Sequence, residues 1–177
     1  MGHSLRSDLN FNAFRNSLKK DDVVLTKAAD IVSRPENKPG YGYEVSLELG
    51  KEQWNKSLGW AYVIKVGDYA VKVGMTESTL SSRFSSYQAG TPENRKKGTC
   101  SVTNYSVSQA IRQHLKDGIP IELYVLRAAP VEIEKTILNE TVKIPSKTAF
   151  AYENALINRY VELNGSKPSL CRNNSNC

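Results

Sequence analysis

The chain is predicted to fold as an α+β protein, a small antiparallel sheet flanked by helices, with a helical N-terminal appendage. Three observations carry that prediction. Trp60 to Lys65 and Tyr69 to Val73 are rich in aromatic and β-branched residues and flank Gly67-Asp68, the pattern of a β-hairpin. Helix-length segments with N-capping residues and glycine stops follow it, the clearest being Lys147 to Leu163. The length of 177 residues, with 40% hydrophobic and 24% charged, suits one globular domain with a sizeable core, not a fibre or a disordered chain.

In chain order, residues 7–33 read as two short helices. Ser7 or Asp8 can cap the first, which carries Leu9, Phe14 and Leu18. Thr26 can cap the second, which carries Ala28, Ala29, Ile31 and Val32. Arg34 to Tyr43 holds Pro35, Pro39, Gly40 and Gly42 and reads as an irregular connector, followed by a short amphipathic piece around Leu47 to Trp54. After the hairpin, Thr76 or Ser78 can cap a helix that runs to about Gln88 and stops at Gly90. A basic loop, Asn94 to Gly98, leads into a helix over Ser101 to Lys116, ended by Gly118 and Pro120. Ile119 to Arg127 reads as a strand, and Glu132 to Pro145 fits either a helix or a hairpin. Ser146 can cap the last helix and Gly165 can end it.

No apolar run approaches the ~20 residues of a membrane helix, and the first ten residues hold no apolar stretch of a secretory signal, so a cytoplasmic protein is expected. Cys100, Cys171 and Cys177 form no CxxC pair, and with His3 and His114 they make no zinc set. Lys and Arg number 24 against 18 Asp and Glu, a net charge of +6. That surplus makes polyanions plausible partners, because neutralised phosphates release counterions.

Four residue groupings could carry chemistry. Tyr62 and Lys72 lie ten apart across the hairpin. A two-residue loop would point them to opposite sheet faces, and a three-residue loop would set them directly opposite on one face. The expectation is a shared face. Arg83 and Tyr87, four apart, share a helix face. Glu153 falls within the apolar stripe of its helix, formed by Ala149, Tyr152, Leu156, Ile157 and Tyr160. An acid in such a stripe either pairs with a buried cation or holds a metal. Near the basic loop, Ser101, Thr103, Asn104 and Gln109 could cap a helix or read base edges.

Tyr62, then Lys72-Val73-Gly74 ten residues on, then Thr76, Leu80, Arg83 and Tyr87, with a distal Glu153 and Asn164, resembles the GIY-YIG nuclease family over about residues 59–170. Lys97-Gly98-Thr99-Cys100-Ser101 with Thr103-Asn104-Tyr105 resembles its small type II restriction endonuclease branch, in which Lys stands in the second triplet and Tyr on the helix, as Lys72 and Tyr87 do. The first triplet departs: it is Trp60-Ala61-Tyr62, with Gly59 one place early. One extra residue also lies between Gly74 and Arg83, and the Asn164 match rests on aligning Lys167-Pro168.

The resemblance implies an appendage over residues 1–57 and a nuclease domain over 58–177, with a DNA-contacting insert around 91–118. It implies Mg²⁺- or Mn²⁺-dependent hydrolysis of double-stranded DNA leaving a 5′-phosphate and a 3′-hydroxyl. Tyr62, Lys72, Arg83, Tyr87 and Glu153 would be catalytic, Glu153 would hold the metal, and Asn164 would support the site. Lys72 would lower the phenol pKa of Tyr62, and either Tyr could be the base. Arg95, Lys96, Lys97, Ser101, Thr103, Asn104 and Gln109 would contact DNA. A homodimer and a cognate methyltransferase are expected of a restriction enzyme. The alternatives are a phage, homing or repair nuclease of the same type, or a nucleic-acid-binding module that does not cleave.

Overall fold

The computed structural model describes residues 7–35 and 42–171. Its sheet is built from β1 (Leu9–Asn10), β2 (Thr26–Ser33), β3 (Tyr43–Leu47), β4 (Trp60–Val66), β5 (Tyr69–Thr76) and β6 (Ile121–Arg127). They lie in the order β1-β5-β4-β6-β2-β3 and every neighbouring pair is antiparallel. The helices are α1 (Phe11–Lys19), α2 (Lys51–Trp54), α3 (Leu80–Gln88), α4 (Pro92–Lys96), α5 (Val102–Lys116) and α6 (Ala149–Asn164). Among the described residues a separate hairpin, β7 (Val131–Ile137) and β8 (Glu140–Ser146), pairs only with itself.

β4 is central because every residue but Lys65 is buried, so it must be covered on both faces. Tyr62, Ile64 and Val66 pack with Phe84, Tyr87, Val107 and Ile111 of α3 and α5. Ala61 and Val63 pack on the other side with Phe11, Phe14, Leu156, Ile157 and Tyr160 of α1 and α6. The result is an α+β fold with helices on both faces of the sheet.

The order of elements departs from expectation mainly before residue 58. Residues 26–33 form a strand, not a helix. Ala28 and Ala29 are good helix formers, but this segment lies between β6 and β3 and hydrogen-bonds to both, and that pairing overrides local propensity. Residues 7–57 therefore contribute three strands to the main sheet along with α1 and the single turn of α2. Leu9 belongs to β1, and Asn10, not Ser7 or Asp8, caps α1. The connector expected over Arg34 to Tyr43 lies partly outside the described residues, and the amphipathic piece divides between the end of β3 and α2.

Farther on, Thr79 caps α3 by accepting from Ser82 N, whereas Thr76 closes β5. The expected basic loop is largely the short helix α4, with Thr91 as its cap. Residues 132–145 resolve as a hairpin. Leu138 and Asn139 turn it with φ of 51° and 67°, a left-handed pair that two-residue hairpin loops require. The last helix starts two residues later than expected, with Thr148 at its cap position, and Gly165 ends it at φ 71°. In place of a capping hydroxyl, the Glu77 carboxylate accepts the Ala149 N–H at 3.0 Å.

Candidate active site

The hairpin carrying Tyr62 and Lys72 has the two-residue loop, Gly67-Asp68, since Val66 pairs with Tyr69. Taken alone, that loop would put the two side chains on opposite faces. A β-bulge reverses the outcome: Ile64 pairs with Lys72 and Lys65 with Ala70, so Val71 is an extra residue. Beyond it Tyr62 pairs with Gly74, and Tyr62 and Lys72 share a face as diagonal neighbours, not as the directly opposed pair of a three-residue loop. β1 pairs only with Tyr69 and Ala70 of β5, so among the described residues no strand covers the outer edge of β5 from Val71 onward.

α3 brings two more side chains onto Tyr62. The Tyr62 and Tyr87 hydroxyls lie 2.6 Å apart. Arg83 donates from Nε to the Tyr62 oxygen at 2.8 Å and from a terminal nitrogen to the Tyr87 oxygen at 3.0 Å. One guanidinium thus grips both phenols, a geometry its planar fork allows and an ammonium could not reproduce. Both phenols are fully buried. Burial pushes the Tyr62 pKa well above its ordinary value and Tyr87 adds to the rise, while Arg83 and Lys72 pull it down by less. Lys72 therefore acts in the expected direction, but burial outweighs it. Burial also raises the Tyr87 pKa against the opposing pull of Arg83.

Lys72 is 4% exposed, and its ammonium donates to Cys171 Sγ at 3.4 Å. The Cys171 thiol donates in turn to the Val73 carbonyl at 3.3 Å. Among the described residues no carboxylate lies within ion-pairing distance of Lys72. Glu153, on α6, is half-buried, and burial raises its carboxyl pKa while the nearby Lys72 and Arg83 cations oppose the rise. Among the described residues Glu153 makes no hydrogen bond or ion pair, and no group of three His, Cys, Asp or Glu could hold a metal ion. A lone carboxylate beside two cations is a poor site for a bare divalent ion. It fits Mg²⁺ that brings its own waters and shares a phosphate oxygen.

The structure thus brings Tyr62, Lys72, Arg83, Tyr87 and Glu153 together. It does not bring Asn164, which lies eleven residues beyond Glu153, about 16 Å along the helix. Its amide donates to the Ser7 carbonyl at 2.9 Å and ties the end of α6 to the N-terminal segment. Of the residues expected on DNA, Arg95, Lys96 and Lys97 are exposed on α4 and just after it. Arg95 donates to the Cys100 carbonyl at 3.1 Å, and Lys97 pairs with Glu93 at 2.6 Å. Ser101 caps α5 by accepting the Asn104 N–H, and the Gln109 amide donates to the Gly90 carbonyl at 3.1 Å. Those two side chains have structural partners, and Thr103 and Asn104 lie half-buried in the first turn of α5.

Sequence reasoning missed two contributors. Cys171 carried no signal, being 99 residues from Lys72. Gly74 did: an isolated glycine in a strand often marks close approach of another group. A Cβ at Gly74 would lie 2.4 Å from both Cζ and the hydroxyl oxygen of Tyr62. Gly74→Ala is therefore expected to push the Tyr62 ring off Arg83. A crystal structure of the variant should show the Arg83 Nε contact to the Tyr62 oxygen lost; an unmoved ring would show that the strand yields instead.

No family model and no curated protein sequence matches the chain. Among solved structures, the fold is similar to that of a restriction endonuclease and of a bacteriophage protein. The restriction endonuclease HPY188I, in a complex with product DNA, superposes with a TM-score of 0.57 at 22% identity, over 94% of this chain and 88% of that one. A variant of bacteriophage T4 EndoII superposes with a TM-score of 0.55 at 19% identity, over 81% of this chain and 93% of that one. At these identities the likeness establishes a shared fold.

Proposed function

We propose that this protein is a divalent-metal-dependent DNA endonuclease of GIY-YIG type that cuts double-stranded DNA at a specific sequence in the manner of type II restriction enzymes. The observation that carries the reading is the Tyr62–Arg83–Tyr87 cluster, two buried phenols held by a half-buried guanidinium, with Lys72 and Glu153 around it. Burying two phenols and an ammonium together against a half-buried guanidinium, beside an unpaired carboxylate, is costly for folding and is suited to a phosphodiester. A restriction endonuclease of the same fold, solved with product DNA, supports it, as does the net charge of +6.

In this reading the scissile phosphate lies over Arg83 and Lys72, whose charges offset the negative charge that builds on its oxygens. Tyr62 accepts the proton of the attacking water, and Arg83 and Lys72 stabilise the phenolate while it carries the charge. Tyr87 holds the Tyr62 oxygen in place through the 2.6 Å hydroxyl contact. The new P–O bond forms to the water oxygen as the bond to the 3′-oxygen breaks, and the leaving oxygen takes a proton from solvent water, giving a 5′-phosphate and a 3′-hydroxyl. Glu153 would hold Mg²⁺ or Mn²⁺, which supplies Lewis-acid stabilisation of the leaving oxygen and the phosphoryl charge. Arg95, Lys96 and Lys97 contact backbone phosphates, and Thr103 and Asn104 face the bases. A methyltransferase of the same specificity would protect the host's own DNA.

The test is incubation of the purified protein with long unmodified duplex DNA, with Mg²⁺ or with EDTA. Discrete metal-dependent fragments are expected. Tight binding with no cleavage in any divalent metal would overturn the enzymatic reading, and cutting confined to branched DNA would favour a repair nuclease.

A further inference from the structure

Lys72 is a buried cation without a counter-charge. It is 4% exposed, and among the described residues its ammonium donates to Cys171 Sγ at 3.4 Å and to no carboxylate. Buried charges ordinarily find an opposite charge, because burial without one is costly. A thiol is a weak acceptor and repays little of that cost. Burial holds the Cys171 thiol above its ordinary pKa although Lys72 pulls it down, so near neutrality the partner is a neutral thiol. That thiol is itself fixed. Its hydrogen goes to the Val73 carbonyl at 3.3 Å, which leaves the sulfur lone pairs to Lys72. Behind it, the 3₁₀ turn Ser169–Cys171 is anchored on Asp8, a 5% exposed residue whose Oδ1 accepts the Ser169 N–H at 2.8 Å and the Tyr160 hydroxyl at 3.0 Å. Asp8 directly precedes β1, which pairs with β5, the strand of Lys72. The turn carrying Cys171 and the strand carrying Lys72 are thus tied together at a second point.

We propose that Cys171 is a positioning residue for Lys72: its neutral thiol holds the ammonium in place and leaves the positive charge to be matched by a phosphate. Such a role rests on the nuclease reading above and adds a residue to it. A carboxylate at the same position would pair with Lys72 and compete with the phosphate for its charge. An apolar side chain would leave the flexible four-carbon stem free to swing. Serine keeps a neutral hydroxyl that accepts from an ammonium and donates to a carbonyl. Positioning therefore ranks the variants serine above alanine above aspartate. Packing alone ranks them differently, since a buried cysteine behaves as a small apolar residue and alanine replaces it better than serine does.

The experiment compares Cys171→Ser, Cys171→Ala and Cys171→Asp in the full chain, below their unfolding temperatures. Single-turnover cleavage of duplex DNA with Mg²⁺ is one readout. The other is the proton–nitrogen NMR signal of the Lys72 ammonium, assigned by its absence in Lys72→Arg. Cys171→Ala should lower the single-turnover rate at least about tenfold while duplex affinity in EDTA stays within about twofold. It should also broaden the Lys72 signal, because an ammonium without its acceptor exchanges protons with water faster. Cys171→Ser should recover most of the rate and the signal. Cys171→Asp should keep the signal and lose more rate than alanine. Cys171→Ala as active as Cys171→Ser, or a Lys72 signal indifferent to alanine, would overturn the proposal. The NMR readout stands apart from cleavage. If the wild type cuts no DNA, the nuclease reading fails, and the positioning role stands only if an added oligonucleotide duplex shifts the Lys72 signal in the wild type and in Cys171→Ser. A signal that the duplex leaves unmoved would overturn it.

Discussion

Replacing Glu153 by Gln is expected to abolish DNA cleavage, by at least about a thousandfold, while leaving duplex affinity in the absence of metal within about twofold. The substitution keeps the size and polarity of the side chain but removes the carboxylate placed beside Lys72 and Arg83. The basic residues proposed to contact backbone phosphates, Arg95, Lys96 and Lys97, are untouched, so a gel-shift measurement in EDTA should barely move. Because two cations flank Glu153, Mg²⁺ should bind measurably only when DNA supplies a phosphate oxygen, which calorimetry with and without an oligonucleotide duplex can read. The raised carboxyl pKa gives the sign of the pH effect: metal-dependent activity is lost as pH falls through a value above the usual carboxylate range. Cleavage by the Gln variant at the wild-type rate would remove Glu153 from the site.

Tyr62→Phe should lower the single-turnover rate by roughly 10²–10⁴-fold, the range for a lost general base. The more telling readout is the pH profile. Burial raises the Tyr62 phenol pKa well above its ordinary value, so the phenolate is the minor form near neutrality and its share grows as pH rises, about tenfold per pH unit. Wild-type cleavage should therefore climb with pH through the alkaline range with a logarithmic slope near one. Tyr62→Phe should flatten that slope, and Tyr87→Phe should keep it at a reduced rate. If Tyr87→Phe flattens the profile and Tyr62→Phe does not, the two phenols exchange roles. Should neither change the slope, the proton goes elsewhere.

Much of the site could be read in the sequence because its residues fall on elements with strong local signals. β4 and β5 are dense in β-branched and aromatic residues around Gly67-Asp68, and Arg83 and Tyr87 are one helical turn apart. What placed Tyr62 and Lys72 on one face was less visible: the bulge at Val71 has no local mark, and without it the two-residue loop would separate them. Residues 26–33 were misread because Ala28 and Ala29 look helical, and only the presence of strands on both sides, one of them about a hundred residues away, makes the segment a strand. The contact of Cys171 with Lys72 is equally non-local. The polar residues of α5 show the limit of spacing arguments. Ser101 and Gln109 have the composition of base readers, yet one caps the helix and the other holds the Gly90 carbonyl.

The most direct test of the account is to sequence the ends of fragments produced from long duplex DNA by the wild type with Mg²⁺, beside Glu153→Gln prepared in the same way. The account predicts one short motif at every end, each carrying a 5′-phosphate, and no fragments from the variant. Ends without a common motif would contradict sequence-specific cleavage, and the same fragments from the variant would contradict the active site itself.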